Sequence, residues 1–336
     1  MGAGMERDEV RGGVREVLRF LRRLDPGDDT EPLPPRLPDA RIVNVEGRGE
    51  MFVREVAATE AGAPTVVLLH GWTLSADLNW FSGGYEVAAR HGRVIAPDIR
   101  GHGRGLRSDR PFTLEAAADD VAALVRQLGG DPAVLVGYSM GGSIALLCAQ
   151  RHPDVVAGLV LASCALQWRS SLYERVLWLG LGLAEYVLRF GAPSGITDRY
   201  LRHAVERSPE LDGYEGWVKA EARRGDASDI GCAAKALAEF DATGITAHVG
   251  CPAAVVVTAH DKLIRARRQR ELARALGAHT VEVDGHHNAW LVRPEEWASA
   301  LDEAIGAVTE RSAPAQGDPA LRGEGRPLAD VRAARG

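Results

Sequence analysis

Two rhythms of apolar and polar positions take turns along this chain. Short β-branched runs bounded by turn residues read as buried strands: Thr65–Leu69, Arg93–Pro97, Ala133–Val136, Gly158–Ala162, Ala253–Thr258 and Thr280–Val283. Between them lie segments with helical spacing. Residues 113–128 put Leu114, Ala117, Val121, Leu124, Val125 and Leu128 on one face, with Thr113 placed to cap the start and Gly129 to end it. Helices are also expected over 142–150, over 265–276 with a stop at Gly277, and from Pro294 onward. Near the start, two β-like runs between Arg41 and Ala57 flank Gly47-Arg48-Gly49, which predicts a hairpin. Alternation of this kind predicts a mainly parallel sheet with helices on both faces.

Three stretches break the pattern. Residues 5–24 carry Val10, Val14, Val17, Leu18, Leu21 and Leu24 at helical spacing, an amphipathic helix able to dock on the chain's own body or to make peripheral membrane contact. Residues 167–248 are rich in helix formers and aromatics (Trp168, Trp178, Tyr186, Phe190 and Trp217), as a lid over the strand ends would be. Beyond about Arg311, Pro, Gly, Ala and charge mix without period, which reads as disorder. The expected division is a helix and Pro-rich linker over 1–40, a core in two parts over 41–166 and 249–310, a helical cap over 167–248, and a tail over 311–336.

Composition narrows the picture slightly. The chain has 336 residues, 46% hydrophobic, enough for one large α/β domain with an insertion. A net charge of −6, with no stripe of basic and aromatic residues, argues against nucleic-acid binding. The apolar stretch from Val176 to Leu188 contains Glu185 and is too short to span a bilayer. Glu6, Arg7, Asp8 and Glu9 interrupt the N-terminus, against a secretory signal, so a cytoplasmic setting is expected. Cys148, Cys164, Cys232 and Cys251 lack metal-ligand spacing and read as small buried hydrophobes.

The chemistry concentrates at Gly137-Tyr138-Ser139-Met140-Gly141, which links a strand-like run to a helix-like one. G-x-S-x-G in that setting predicts a sharp turn that thrusts a serine forward, with glycines where a Cβ would crowd. A serine hydroxyl needs a base, and the base needs an orienting acid. In loops after later strands stand Asp261, then His286 and His287, so all would open at the carboxyl edge that carries Ser139. The loop after the strand ending near Ala162 offers Ser163-Cys164-Ala165 and no carboxylate, which strengthens Asp261. An oxyanion needs two N–H donors, and the amides of Met140 and Trp72 are the candidates.

Together with His70-Gly71-Trp72, Asp98-Ile99-Arg100-Gly101-His102-Gly103 and Gly285-His286-His287, these residues resemble the α/β-hydrolase superfamily over about residues 41–310. The resemblance implies an eight-stranded, mostly parallel sheet with a helical cap after the sixth strand. It implies a structural role for His102, and a Ser-His-Asp triad of Ser139, Asp261 and His287. In the family the catalytic histidine stands seven residues before a proline, as His287 does before Pro294, while the usual Gly-His dipeptide would pick His286. Relatives that open epoxides or remove halogens carry Asp at the elbow, so Ser139 argues against both. No cofactor or metal is implied. The expected function is hydrolysis of a small-molecule carboxylic ester with an apolar acyl or alcohol part, Trp290 and the aromatic cap contributing to its pocket. The alternatives are C–C bond hydrolysis, a cofactor-free perhydrolase or haloperoxidase-like activity, or a non-catalytic ligand-binding role.

Overall fold

In a computed structural model of the chain, residues 34–168, 214–222 and 224–312 are described. The expected helix over 5–24, most of the expected tail and residues 169–213 of the expected cap lie outside them.

Eight strands form one sheet: β1 (Ala40–Val45), β2 (Gly49–Val56), β3 (Thr65–Leu69), β4 (Arg93–Pro97), β5 (Ala133–Tyr138), β6 (Val156–Ala162), β7 (Ala253–Thr258) and β8 (His279–Val283). Their order is β1-β2-β4-β3-β5-β6-β7-β8. The β1–β2 hairpin is antiparallel and joins β4 antiparallel; every other pairing is parallel. Parallel strands need helical crossovers, and these bury both faces of the sheet. Adjacent strand residues accordingly enter different cores. Val67, Leu69, Leu135, Leu161 and Val255 join one, while Val66, Leu68, Val136, Val160 and Val256 join the other.

Helices α1 (Ala76–Trp80) and α2 (Gly84–His91) connect β3 to β4, and α3 (Leu114–Gln127) precedes β5. The elbow helix α4 spans Met140–Arg151; α5 (Glu215–Ala222) and α6 (Ala227–Glu239) lie between β6 and β7; α7 (Ala266–Leu276), α8 (Ala289–Val292) and α9 (Pro294–Ser312) complete the chain's helices among the described residues. Thr113 caps α3 by accepting the Ala116 N–H at 3.0 Å. No helix among the described residues is long and apolar enough to cross a membrane.

The structure adds to the sequence reading in two places and corrects it in one. The stretch between β3 and β4, for which the sequence reading named no element, holds the short helices α1 and α2. Helix α9 runs to Ser312, whose hydroxyl donates to the Ala157 carbonyl of β6. Cys148 and Cys164 are buried, but Cys232 and Cys251 are only half-buried.

Candidate active site

Strand order reverses at β3, between β4 and β5, so the loops leaving β3 and β5 diverge and open a crevice at the carboxyl edge. Three non-glycine residues among those described have positive φ, and all stand at this edge: Thr73 at 67°, Ser139 at 53° and Ser163 at 50°. Such angles cost energy and persist only where the surroundings enforce them. At Ser139 the enforcement is visible. Its N–H donates to the Ala162 carbonyl of β6 at 2.8 Å, while its own carbonyl accepts from Gly142 at 2.9 Å. A Cβ on Gly137 would stand 2.4 Å from the Gly141 carbonyl oxygen, and one on Gly141 would stand 2.1 Å from that of Leu69. The two glycines thus solve different problems, one within the turn and one against the end of β3.

Ser139 Oγ lies 3.0 Å from His287 Nε2, and His287 Nδ1 lies 2.7 Å from Asp261 Oδ2. Because the carboxylate can only accept, Nδ1 carries the proton, and Nε2 is left to accept from the serine hydroxyl. His286 points elsewhere: its Nδ1 bonds the His260 carbonyl at 2.7 Å and the side chain is exposed. The loop itself is pinned through the Tyr138 hydroxyl, which donates to the His287 carbonyl at 2.7 Å.

Asp261 is held from every side. Oδ1 accepts the N–H groups of Leu263 and Ile264, each at 2.8 Å. Besides His287, Oδ2 accepts from the Thr258 hydroxyl and the Gln269 amide, each at 3.0 Å. Ser163, at the position without a carboxylate, joins this cluster through Thr258 at 3.2 Å. Thr258 and Gln269 were not singled out in the sequence; only the tertiary contact of α7 with the end of β7 brings Gln269 to the acid.

Met140 opens α4, where the first N–H groups have no intrahelical acceptor. Trp72 follows Gly71, whose N–H donates to Asn79 Oδ1 of α1 at 2.9 Å. A Cβ on Gly71 would stand 2.8 Å from the Tyr138 ring, so this loop lies flat against the elbow. Buried His70 reads as structural: Nδ1 donates to the Gly71 carbonyl and Nε2 accepts the Ile99 N–H. Burial lowers its pKa, although Asp98 pulls the other way, which keeps the ring neutral as those bonds require. His102 is fully buried and bonds the Arg100 carbonyl through Nδ1.

A buried ionic cluster ties this region to α5. Asp77 accepts a two-pronged bond from Arg54, at 2.8 Å for each prong, and one from Arg104 at 2.7 Å. Burial would push the Asp77 carboxyl up, but the two guanidinium groups outweigh it and hold the carboxyl low. Arg104 also reaches Asp98 and, at 3.0 Å, Glu221 of α5, which accepts the Ser75 hydroxyl at 2.9 Å. On the same side, Trp217 of α5 meets Phe81 edge-on at 5.1 Å. Trp290 is buried and meets the rings of Phe81 and Tyr138. Among the described residues, no group of three or more His, Cys, Asp or Glu could hold a metal ion.

Comparison with known proteins agrees with this fold. A family model described as the alpha/beta hydrolase fold matches residues 64–294. The chain is 30% identical over 260 residues to a pimeloyl-[acyl-carrier protein] methyl ester esterase of Neisseria meningitidis, covering 76% of this chain and 98% of that protein. It is 41% identical over 102 residues to a bifunctional esterase/perhydrolase of Acinetobacter calcoaceticus, covering 30% of this chain and 37% of that one. Among solved structures, a thermophilic esterase from Thermogutta terrifontis matches with a TM-score of 0.65 and 25% identity, over 81% of this chain and 99% of that one. The chain belongs to the alpha/beta hydrolase fold family and is an esterase-like enzyme within it.

Proposed function

We propose that the chain hydrolyses a carboxylic ester with an apolar acyl or alcohol part through a Ser139 acyl-enzyme, with His287 as base and Asp261 as its orienting acid. The observation that carries this reading is the continuous line from Ser139 Oγ through both ring nitrogens of His287 to Asp261 Oδ2. In the first half, Ser139 Oγ bonds to the ester carbonyl carbon as its proton passes to His287 Nε2. The oxyanion is met by the amides of Trp72 and Met140. The C–O bond to the alcohol then breaks, and the leaving oxygen takes the proton from Nε2. Water repeats the sequence on the acyl-enzyme, releasing the acid and restoring Ser139. The apolar preference is supported by Trp217, Phe81 and Trp290, which line up beside the elbow.

Residues 167–248 read as a cap, supported by α5 and α6 lying between β6 and β7. A cytoplasmic setting is supported by the four free thiols. A second reading, perhydrolysis by peroxide attack on the same acyl-enzyme, draws support from the Acinetobacter relative's name.

A fluorophosphonate probe tests the reading. The wild type is expected to label at one site and Ser139→Ala to remain unlabelled. Absence of labelling in the wild type would overturn the acyl-enzyme. On p-nitrophenyl esters from acetate to palmitate the enzyme is expected to turn over at least one chain length. Activity confined to peroxide-dependent oxidation would favour the second reading.

A further inference from the structure

We infer that Gln269 is a positioning residue for the acid of the triad: its side-chain amide, wedged between β7 and α7, sets the orientation of the Asp261 carboxylate toward His287. The inference rests on the proposed triad and deepens it.

Gln269 is fully buried. Its Oε1 accepts the Thr258 N–H at 3.0 Å, a backbone donor at the last residue of β7. That bond leaves one way round for the amide, because a backbone N–H must meet an oxygen. Nε2 is thereby turned toward the Ile264 carbonyl at 2.6 Å, the Thr258 hydroxyl at 3.0 Å and Asp261 Oδ2 at 3.0 Å. The site therefore demands an acceptor on one side and donors on the other, which an uncharged amide supplies and neither an ionised carboxylate nor an apolar side chain can.

The bond is also aimed at the consequential oxygen. Oδ1 of Asp261 already has two backbone donors from its own loop. Oδ2 is the atom that faces His287 Nδ1, and its two other donors are the Gln269 amide and the Thr258 hydroxyl that the amide also contacts. Without them Oδ2 is held by His287 alone, and the torsion of the carboxylate about its Cβ–Cγ bond is resisted only by the two loop contacts of Oδ1. The imidazole would then lose its fixed orientation.

Two variants and one control test this. Gln269→Met keeps the volume and removes every polar contact; Gln269→Glu keeps the shape and the acceptor but sets a second carboxylate against Asp261. With p-nitrophenyl butyrate, kcat is expected to fall about tenfold in each while KM is unchanged. Loss of the amide's positive edge leaves the Asp261 charge less balanced, which favours imidazolium. The acidic limb of kcat/KM is therefore expected to move up by about half a pH unit in Gln269→Met, and further in Gln269→Glu. The other titratable groups beside His287, the Tyr138 phenol and the adjacent His286, are unchanged in both variants.

A Tm drop with kcat and the acidic limb both unaltered at 25 °C would assign Gln269 to stability alone and overturn the inference. Should Gln269→Met fail to fold, the near-isosteric Gln269→Glu carries the same readouts. Ser139→Ala and fluorophosphonate labelling run alongside. A wild type without Ser139-dependent turnover overturns the triad itself, whereas a labelled, active wild type with indifferent Gln269 variants overturns only this step.

Discussion

Two adjacent histidines of the same loop have opposite surroundings. His287 is mostly buried, lies between a hydroxyl and a carboxylate, and is held at its carbonyl by Tyr138. His286 leans on one backbone oxygen at the surface. In the ester assay we expect His287→Ala to lose about 10,000-fold in kcat and His286→Ala to stay within about threefold. A large loss confined to His286→Ala would move the base one residue back. The order and spacing of Ser139, Asp261 and the histidine pair were legible in the sequence because each follows a strand. The choice within the pair hinges on side-chain direction, which neighbours in sequence do not share. Cys164 occupies a comparable place beside the elbow, yet burial pushes its thiol up to about 12, so it stands neutral and offers no competing nucleophile.

Among elements, α4 bears the consequences of the elbow, and its far end is clamped to α3. Asp119 of α3 accepts from Arg151 at 2.8 and 2.9 Å and from His152 at 2.8 Å. Hydrogen bonding from Arg151 leads in holding the Asp119 carboxyl at about 2, against the opposing effect of burial, with His152 adding to it. A depressed folded value means the contribution is complete above the ordinary carboxyl range and is lost as pH falls toward 2. Because the pair is partly exposed, Asp119→Asn is expected to cost about 1 kcal/mol at pH 7. That gap should close between pH 4 and pH 2, as urea midpoints would read. A gap of constant size down to pH 2.5 would show that geometry rather than ionisation carries the clamp. The helix α3 itself, its Thr113 cap and its ending were readable from periodicity. Helix α1 was not, since it is five residues long, buried throughout, and fixed at its start by Asp98, which accepts the Ala76 N–H at 2.7 Å.

Across the whole molecule, the ionic cluster joins parts of the chain that lie far apart in sequence. Glu221 meets Ser75, Arg104 and Arg224, while Arg104 continues to Asp77 and Asp98. Taking charges out of water is costly, and their mutual pairing offsets the cost only while every member is present. Glu221→Gln leaves Arg104 with two carboxylates and weakens the seat of α5. We expect limited proteolysis between β6 and β7 to speed up about tenfold, with KM rising and the Tm of the core nearly unchanged. Equal proteolysis rates would mean that Trp217 and its apolar contacts hold α5 unaided. The Asp98–Gly103 segment receives α6, through the Asp226 N–H on the Gly101 carbonyl at 2.7 Å.

The sequence by itself determined the sheet's parallel core and pointed to the carboxyl edge as the candidate site, with Ser139 at its centre. These follow from local periods of two and about 3.6 residues and from glycines that a strained turn requires. Tertiary structure decided which histidine faces Ser139, how Asp261 is oriented, and which arginines and carboxylates pair beneath α5. Those depend on atoms brought within 3 Å from distant parts of the chain, for which no short-range pattern exists.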